Sequence, residues 1–167
     1  MKYQKTSNEK IFLQIFLFAK KLYFCKMKKY KQTFIPTVHT GVIANNPKSA
    51  KEYYAKNLQK KSIVNKHLGF RIYFTSEGKG KLGFGTAIHK KKVAVLQCLL
   101  ELLEVAELNN FGQRKEKDSS IVLGYLNFKA KVKIDESIET VRIAVTLKVD
   151  GKAYYNHEVN KIVLCKK

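Results

Sequence analysis

The clearest structural signal in the sequence is Tyr125–Leu164, YLNFKAKVKIDESIETVRIAVTLKVDGKAYYNHEVNKIVL, because apolar and polar side chains alternate along much of it. Alternation with a period of two is typical of strands with one buried face. The turn signal Asp150-Gly151 favours a tight hairpin within the stretch. We predict three strands that form an antiparallel sheet with one dry face and one wet face: Tyr125–Asp135, Thr140–Val149 and Ala153–Leu164.

The sequence before this stretch predicts two main helices and a hairpin. Asn46-Pro47 is a strong helix start, since Asn caps free amides and Pro fits the first helical position, and this helix should end near Lys61. The second predicted helix, Ala87–Leu108, has leucines on one face and glutamates outside it. The runs Ser62–Val64 and Phe70–Thr75 flank a turn signal and predict a hairpin. The predicted fold class is α+β, with an antiparallel β-sheet of about four to five strands packed against two main helices.

Two connecting segments predict loops, and both carry charge. Glu77–Gly85 holds four glycines and two lysines, which predicts a mobile basic loop. Phe111–Ser120 is rich in charged residues and predicts a second loop. Residues 32–167 are therefore expected to form a single α+β domain.

Residues 1–31 form a basic and apolar N-terminal segment that leaves three interpretations open. It is a helix packed on the domain, a membrane-surface or partner-binding helix, or upstream sequence that precedes a true start at Met27 and is not part of the native chain. The apolar run Ile11–Ala19 is too short to span a membrane. Lys20 and Lys21 follow it in place of a signal-peptide cleavage site, so we expect neither membrane insertion nor export.

The charge is the most unusual property of the composition. Thirty-three Lys and Arg against thirteen Asp and Glu leave a net charge of +20. A polyanionic partner would relieve this self-repulsion, and nucleic acid is the first choice. The three cysteines are far apart and form no metal-binding pair, which favours reduced thiols in a cytoplasmic protein. Cys98 lies in an apolar helical run and is predicted to be buried and inert.

The wet face of the predicted sheet is the first candidate site. Basic side chains project from it at every second position, and they are Lys129, Lys131, Lys133, Arg142 and Lys148. Lysines on exposed strands also protect edges and keep proteins in solution. The overall charge, together with Tyr125 and Tyr155 as groups that stack on bases, favours nucleic-acid binding. Lys79 and Lys81, between glycines before a helix, are weaker candidates for phosphate contacts.

The histidines suggest a chemistry for such a surface. RNA cleavage without a metal needs a base for the 2′-hydroxyl, an acid for the leaving oxygen and cations around the phosphate. His157 in the last strand, His89 at the helix start and Arg142 could meet around one phosphate. The carboxylates lie on a helix face or in turns instead of clustering as metal-dependent nucleases require, so we expect no metal and no other cofactor.

Three blocks of sequence indicate a family. They are IVNKHLGFRIYF with the following GKGK, VLQCLLELLEVAEL, and YLNFKAKVKI with VRIAVTLKVDGKAYYNHEV. With these blocks, Ile63–Ile162 resembles the third type of large polyvalent protein-associated domain, found in proteins of phages and conjugative elements. The element order is similar to that of the barnase–EndoU–colicin–RelE group of metal-independent ribonucleases. That resemblance implies RNA cleavage by a site at Arg142, Thr146, Tyr155 and His157, with His89 in support.

The function predicted for this nuclease-like domain is metal-independent, toxin-like endoribonuclease activity by acid–base catalysis. His157 and His89 would transfer protons, Arg142 and Lys81 would stabilise the phosphate, and Tyr155 would position or stack. RNA is the preferred partner, and a toxin-like nuclease also implies an inhibitory partner protein. Two alternatives stay open: a nucleic-acid-binding module without catalysis, and a peripheral membrane or protein-interaction factor that acts through residues 11–31.

Overall fold

The computed structural model describes residues 32, 34–81, 90–116 and 118–164, except for the side chains of 80, 81 and 156–164. The helices are α1 (Pro47–Asn57), α2 (Ser76–Lys81), α3 (Lys90–Val95) and α4 (Leu99–Val105), and a 3-10 turn at Leu96–Cys98 joins the last two. The strands are β1 (Thr37–Val38), β2 (Ser62–Val64), β3 (Arg71–Phe74), β4 (Glu107–Gln113), β5 (Val122–Ile134), β6 (Ser137–Lys148) and β7 (Ala153–Leu164). The N-terminal segment and Cys25 lie outside these residues.

The strands form one seven-stranded mixed sheet in the order β1-β5-β6-β7-β3-β2, with β4 also paired to β5. The long strands β5, β6 and β7 form an antiparallel meander, as the alternation predicts. Two further pairings are parallel: β1 lies beside the end of β5, and β3 lies beside the start of β7. β4 and β1 pair with the same edge of β5: β4 lies beside the first half of β5, and β1 lies beside its end.

The predicted fold class is wrong in its sheet and in its helices. The sheet is mixed and has seven strands, whereas we predicted an antiparallel sheet of four or five strands. Glu107–Gln113 pairs with β5 as a strand, although we assigned this segment to the end of a helix and a loop. Ser76–Lys81 is helical where we predicted a mobile loop. Glu107 follows a helical run of leucines, and Ser76–Lys81 contains two glycines, so the local sequence does not favour the observed structure in either segment. Tertiary packing outweighs this local preference.

The first predicted helix and the hairpin are confirmed. The Asn46 side chain accepts a hydrogen bond from the Ser49 amide at 2.9 Å, and Pro47 occupies the first turn of α1. This helix ends at Asn57, slightly before the predicted end, and it buries Ala50 and Tyr54. β2 and β3 pair in an antiparallel hairpin, as predicted.

The core lies between the helices and one face of the sheet. The 3-10 turn at Leu96–Cys98 breaks the second predicted helix, yet leucines from this turn and from α4 are fully buried. From Gly124 onward the even-numbered residues of β5, among them Phe128 and Val132, are buried too, and the odd-numbered residues lie on the opposite face. Cys98 is 5% exposed, and burial raises the pKa of its thiol to about 12. The predicted burial of Cys98 is therefore confirmed, and the low reactivity that a raised thiol pKa implies stays a prediction.

Gly78 lets α2 approach the core closely. A β-carbon at this position would lie 2.3 Å from the Tyr54 hydroxyl oxygen and 2.8 Å from the carbonyl oxygen of Tyr155. Neither distance is compatible with a real contact, so only glycine fits without displacing the aromatic cluster. Packing is thus a sufficient reason for this glycine, which we had considered as part of a phosphate-binding loop.

Candidate nucleic-acid interface

The sheet face away from the helices brings four of the predicted basic residues together. Lys129, Lys131 and Lys133 occupy alternate positions of β5, and register places Arg142 of β6 directly opposite Lys129. On the other side of Arg142, the backbone of Lys161 continues the row on β7. This group of Lys129, Lys131, Lys133 and Arg142 is called the cationic face below.

Two members of the cationic face have no competing partner among the described residues. The side chains of Lys131 and Arg142 are exposed and make neither a hydrogen bond nor an ion pair within that part of the chain. Lys129 lies 3.3 Å from a Glu107 carboxylate oxygen, and Lys133 lies 3.3 Å from one of Glu136. Exposed ion pairs of this kind contribute only about 0–1 kcal/mol, so a phosphate can replace the carboxylate at small cost.

The other predicted basic residues are placed differently. Lys148 lies on the same face, but its ammonium contacts both Glu77 carboxylate oxygens, at 3.0 and 3.2 Å, and its side chain is only 15% exposed. Lys79 lies on α2 and is half-buried. The backbone of Lys81 ends α2, and its side chain lies outside the described residues. None of these three belongs to the cationic face.

Tyr155 and Thr146 are not exposed, in contrast to their predicted roles. Tyr155 pairs with Val145 on one side and with Phe74 on the other, and its side chain is 0% exposed in the core. Its ring is 5.2 Å from the Phe74 ring, and burial raises the pKa of its hydroxyl well above the usual value. Thr146 is 3% exposed. The prediction that Tyr155 stacks on bases is therefore wrong, because its side chain points into the core.

The two predicted histidines stay predictions. His89 lies outside the described residues. The backbone of His157 lies in β7 at an irregularity: Val145 faces Tyr155 while Ala144 faces Glu158, so Asn156 and His157 are extra residues in the ladder. Such a bulge changes the direction of a side chain and is common beside active sites. The direction of the His157 side chain is not described.

A different histidine is paired in the structure. His39 Nδ1 lies 3.7 Å from a carboxylate oxygen of Asp135, and both side chains are about half exposed or more. Thr40 holds this carboxylate with two hydrogen bonds, from its amide at 3.0 Å and from its hydroxyl at 2.8 Å. These bonds, the amide first, lower the pKa of Asp135. The sequence contains no local signal for this pair, since β1 and the β5–β6 turn meet only through a parallel pairing.

Two classes of site have no support in the part of the chain that the structure describes. No group of three or more His, Cys, Asp or Glu side chains in it could hold a metal ion. None of its helices combines the length and the apolar character that a membrane crossing requires.

These observations define a small domain built mostly of one seven-stranded mixed sheet, with helices on one face and a group of basic side chains on the other. The family model for large polyvalent protein-associated domain 3 matches residues 42–155, and the chain belongs to this family. The predicted membership is thus confirmed, and it places the chain among domains associated with phages and other mobile elements. A search of curated proteins and a search of solved structures found no match.

Proposed function

We propose that this domain binds nucleic acid through the cationic face. The observation that supports the proposal most strongly is the diagonal placement of Lys131 and Arg142 on neighbouring strands, as two exposed cations without a competing carboxylate in the described structure. Arginine adds a planar group that contacts phosphate in a bidentate manner. The net charge of +20 adds long-range attraction for a polyanion. Bound phosphates would lie along β5 and β6, on the face away from the helices.

Salt dependence of binding tests this proposal. Each phosphate contact contributes about −0.7 to the slope of log K against log salt for a single strand, so four contacts predict a slope near −3. The double variant Lys131→Ala with Arg142→Ala should bind more weakly, and its slope should be shallower by about 1.4. Fluorescence anisotropy with a labelled oligonucleotide at several salt concentrations measures both quantities.

Lys56→Ala is the matched control, because Lys56 is an exposed cation on the last turn of α1, away from the sheet face. This variant loses one positive charge, against two in the double variant, and should keep the wild-type slope. The proposal fails if the wild-type protein does not bind at about 50 mM salt, where electrostatic binding is strong. It also fails if the double variant and Lys56→Ala have the same slope.

RNA cleavage is the second candidate function, and the irregular register at Asn156 and His157 favours it. The bulge lies beside Ala144, two residues from Arg142 on the neighbouring strand. A histidine there would be close to a phosphate bound by Arg142 and could take the proton of a 2′-hydroxyl. Attack of that oxygen on phosphorus breaks the bond to the 5′ oxygen and leaves a cyclic phosphate, with a second group protonating the leaving oxygen. His89 is the candidate for that second role.

Replacing His157 by Ala should abolish cleavage and leave RNA affinity nearly unchanged, since a neutral imidazole adds little attraction for phosphate. The measurement is the appearance of cyclic-phosphate ends from RNA incubated in EDTA. Two groups that exchange protons also predict a bell-shaped dependence of the rate on pH. Thermal unfolding of the variant controls for lost structure. If wild-type protein binds RNA but leaves it uncut for hours, with EDTA and with magnesium, the cleavage hypothesis is wrong and the binding module remains.

A further inference from the structure

A row of tyrosines crosses the same sheet face beside the cationic face. Tyr125 of β5 lies opposite Thr146 of β6, Thr146 lies opposite Tyr154 of β7, and Tyr154 lies opposite Tyr73 of β3. Three of the four positions in this row are therefore aromatic. The rings are partly exposed, whereas the residues next to them in sequence, Leu126 and Tyr155 among them, are buried.

Hydrogen bonds fix two of these rings. The Tyr125 hydroxyl donates to an Asp118 carboxylate oxygen at 2.6 Å, and the Tyr154 hydroxyl donates to one of Asp150 at 2.6 Å. The bond to Asp150 raises the pKa of Tyr154 to about 12. The Tyr73 ring leans on Tyr154, with 5.9 Å between the ring centroids. Rings that are already ordered lose little freedom when a planar ligand binds to them.

A lysine accompanies every ring of the row. The ammonium groups lie 5.7 Å from the Tyr125 centroid, 4.7 Å from that of Tyr154 and 5.8 Å from that of Tyr73, and they belong to Lys115, Lys148 and Lys152 respectively. Because each ammonium group lies over a ring face, a base that stacks there would displace it toward the base's own phosphate. The combination of ring and cation thus matches a nucleotide better than it matches an apolar ligand.

Spacing connects the tyrosine row to the cationic face. Tyr125 and Lys129 are four residues apart on one face of β5, which corresponds to about 13 Å at the usual rise of a strand. A strand of nucleic acid that stacks bases on the row could therefore reach Arg142 and Lys131 with its next phosphates. In a duplex the faces of the bases are already stacked on each other, so only unpaired bases can use the rings.

We infer that Tyr73 and Tyr154, together with Tyr125, form a stacking platform for unpaired bases, and that the ligand of the domain is single-stranded nucleic acid. This inference rests on the proposed nucleic-acid binding and adds the class of ligand. It assigns the bases to the tyrosine row and the phosphates to the cationic face. It also replaces Tyr155, which is buried, with Tyr154 as the aromatic group that contacts the ligand.

The test compares binding of single-stranded and duplex oligonucleotides by Tyr154→Leu and Tyr73→Leu. Each substitution should weaken single-strand binding by about 5- to 100-fold, the usual effect of losing one stacked base. Neither should change the salt slope or the duplex affinity. Tyr154→Phe keeps the ring but loses the bond to Asp150, so its affinity should stay within about threefold of wild type if stacking is the interaction. RNA and DNA strands of equal length show whether the ribose contributes.

Intrinsic fluorescence gives a second measurement, since the chain has nine Tyr and no Trp. Stacked bases should quench tyrosine emission in the wild-type protein, and Tyr154→Leu should lose part of that quenching. If folded Leu variants bind single strands as tightly as wild type, the platform is wrong while the proposed function stands. If wild-type protein binds no nucleic acid, both fail.

Discussion

Replacing Lys91 by Met is expected to lower the free energy of unfolding by about 3–5 kcal/mol, because it leaves a buried carboxylate without its cation. The Lys91 ammonium bonds a carboxylate oxygen of Glu139, whose side chain is only 2% exposed. Glu139 lies on the core face of β6, between Val132 and Leu164 in the ladder. The lysine extends from the first turn of α3, so this pair joins the helix to the sheet.

Urea unfolding of three variants distinguishes the effect of losing the Lys91–Glu139 ion pair from that of losing a positive charge. Lys92→Met removes the neighbouring lysine of α3, which makes no described ion pair, and should change stability by less than about 0.5 kcal/mol. The double variant Lys91→Met with Glu139→Leu removes both charges. It should recover most of the lost stability, since apolar replacement of a buried pair is often neutral or stabilising. A Lys91→Met protein as stable as Lys92→Met would contradict the role assigned to the pair.

The alternation in Tyr125–Leu164 was sufficient to predict the meander and the position of the cationic face. A period of two fixes which side chains share a face, and this information is local. The start of α1 could also be predicted from local sequence, because a cap residue and a proline specify it. The parallel pairs β1–β5 and β3–β7 join segments that are far apart in sequence. No local pattern encodes such a pairing, and the mixed sheet was missed for that reason.

The error at Tyr155 has a specific cause. Tyr154 and Tyr155 are adjacent, so either could occupy the exposed face, and residue type alone does not distinguish them. Pairing with Val145 and Phe74 places Tyr155 in the core and Tyr154 on the wet face. Tyr73 was missed as well, because its place in the row depends on the parallel contact between β3 and β7.

The contacts of the basic side chains on this side of the sheet distinguish a structural role for Lys148 from a binding role for Lys131 and Arg142. Lys148 is held by Glu77 and lies over the Tyr154 ring, so it orders the edge of the platform. Lys131 and Arg142 have no such structural contact among the described residues. Substitution of these two should therefore change binding without a large change in stability, whereas substitution of Lys148 should affect both.

The side chain of Asn65 connects the β2–β3 turn to the end of α4 through two buried hydrogen bonds, and a third, part-buried bond lies within the turn. Its side chain is 0% exposed, and its amide nitrogen donates to the carbonyl oxygens of Leu103 at 2.7 Å and of Ala106 at 2.8 Å. Its side-chain oxygen accepts from the Leu68 amide at 2.9 Å. The last carbonyls of a helix have no partner within the helix, so this amide provides what the backbone cannot.

Replacing Asn65 by Ala should therefore lower the free energy of unfolding by about 2 kcal/mol or more, because two buried carbonyl groups lose their partner at about 1–3 kcal/mol each and a part-buried amide loses its acceptor. Asn65→Asp keeps the shape of the side chain but removes both amide N–H donors, so it should also be strongly destabilised.

The matched control is Asn57→Ala. The Asn57 amide donates one part-buried hydrogen bond to the Tyr53 carbonyl at 3.0 Å, and its loss should cost about 1 kcal/mol or less. Urea midpoints of the three variants measure the difference. Equal midpoints for Asn65→Ala and Asn57→Ala would mean that water replaces the buried amide and that the turn does not depend on it.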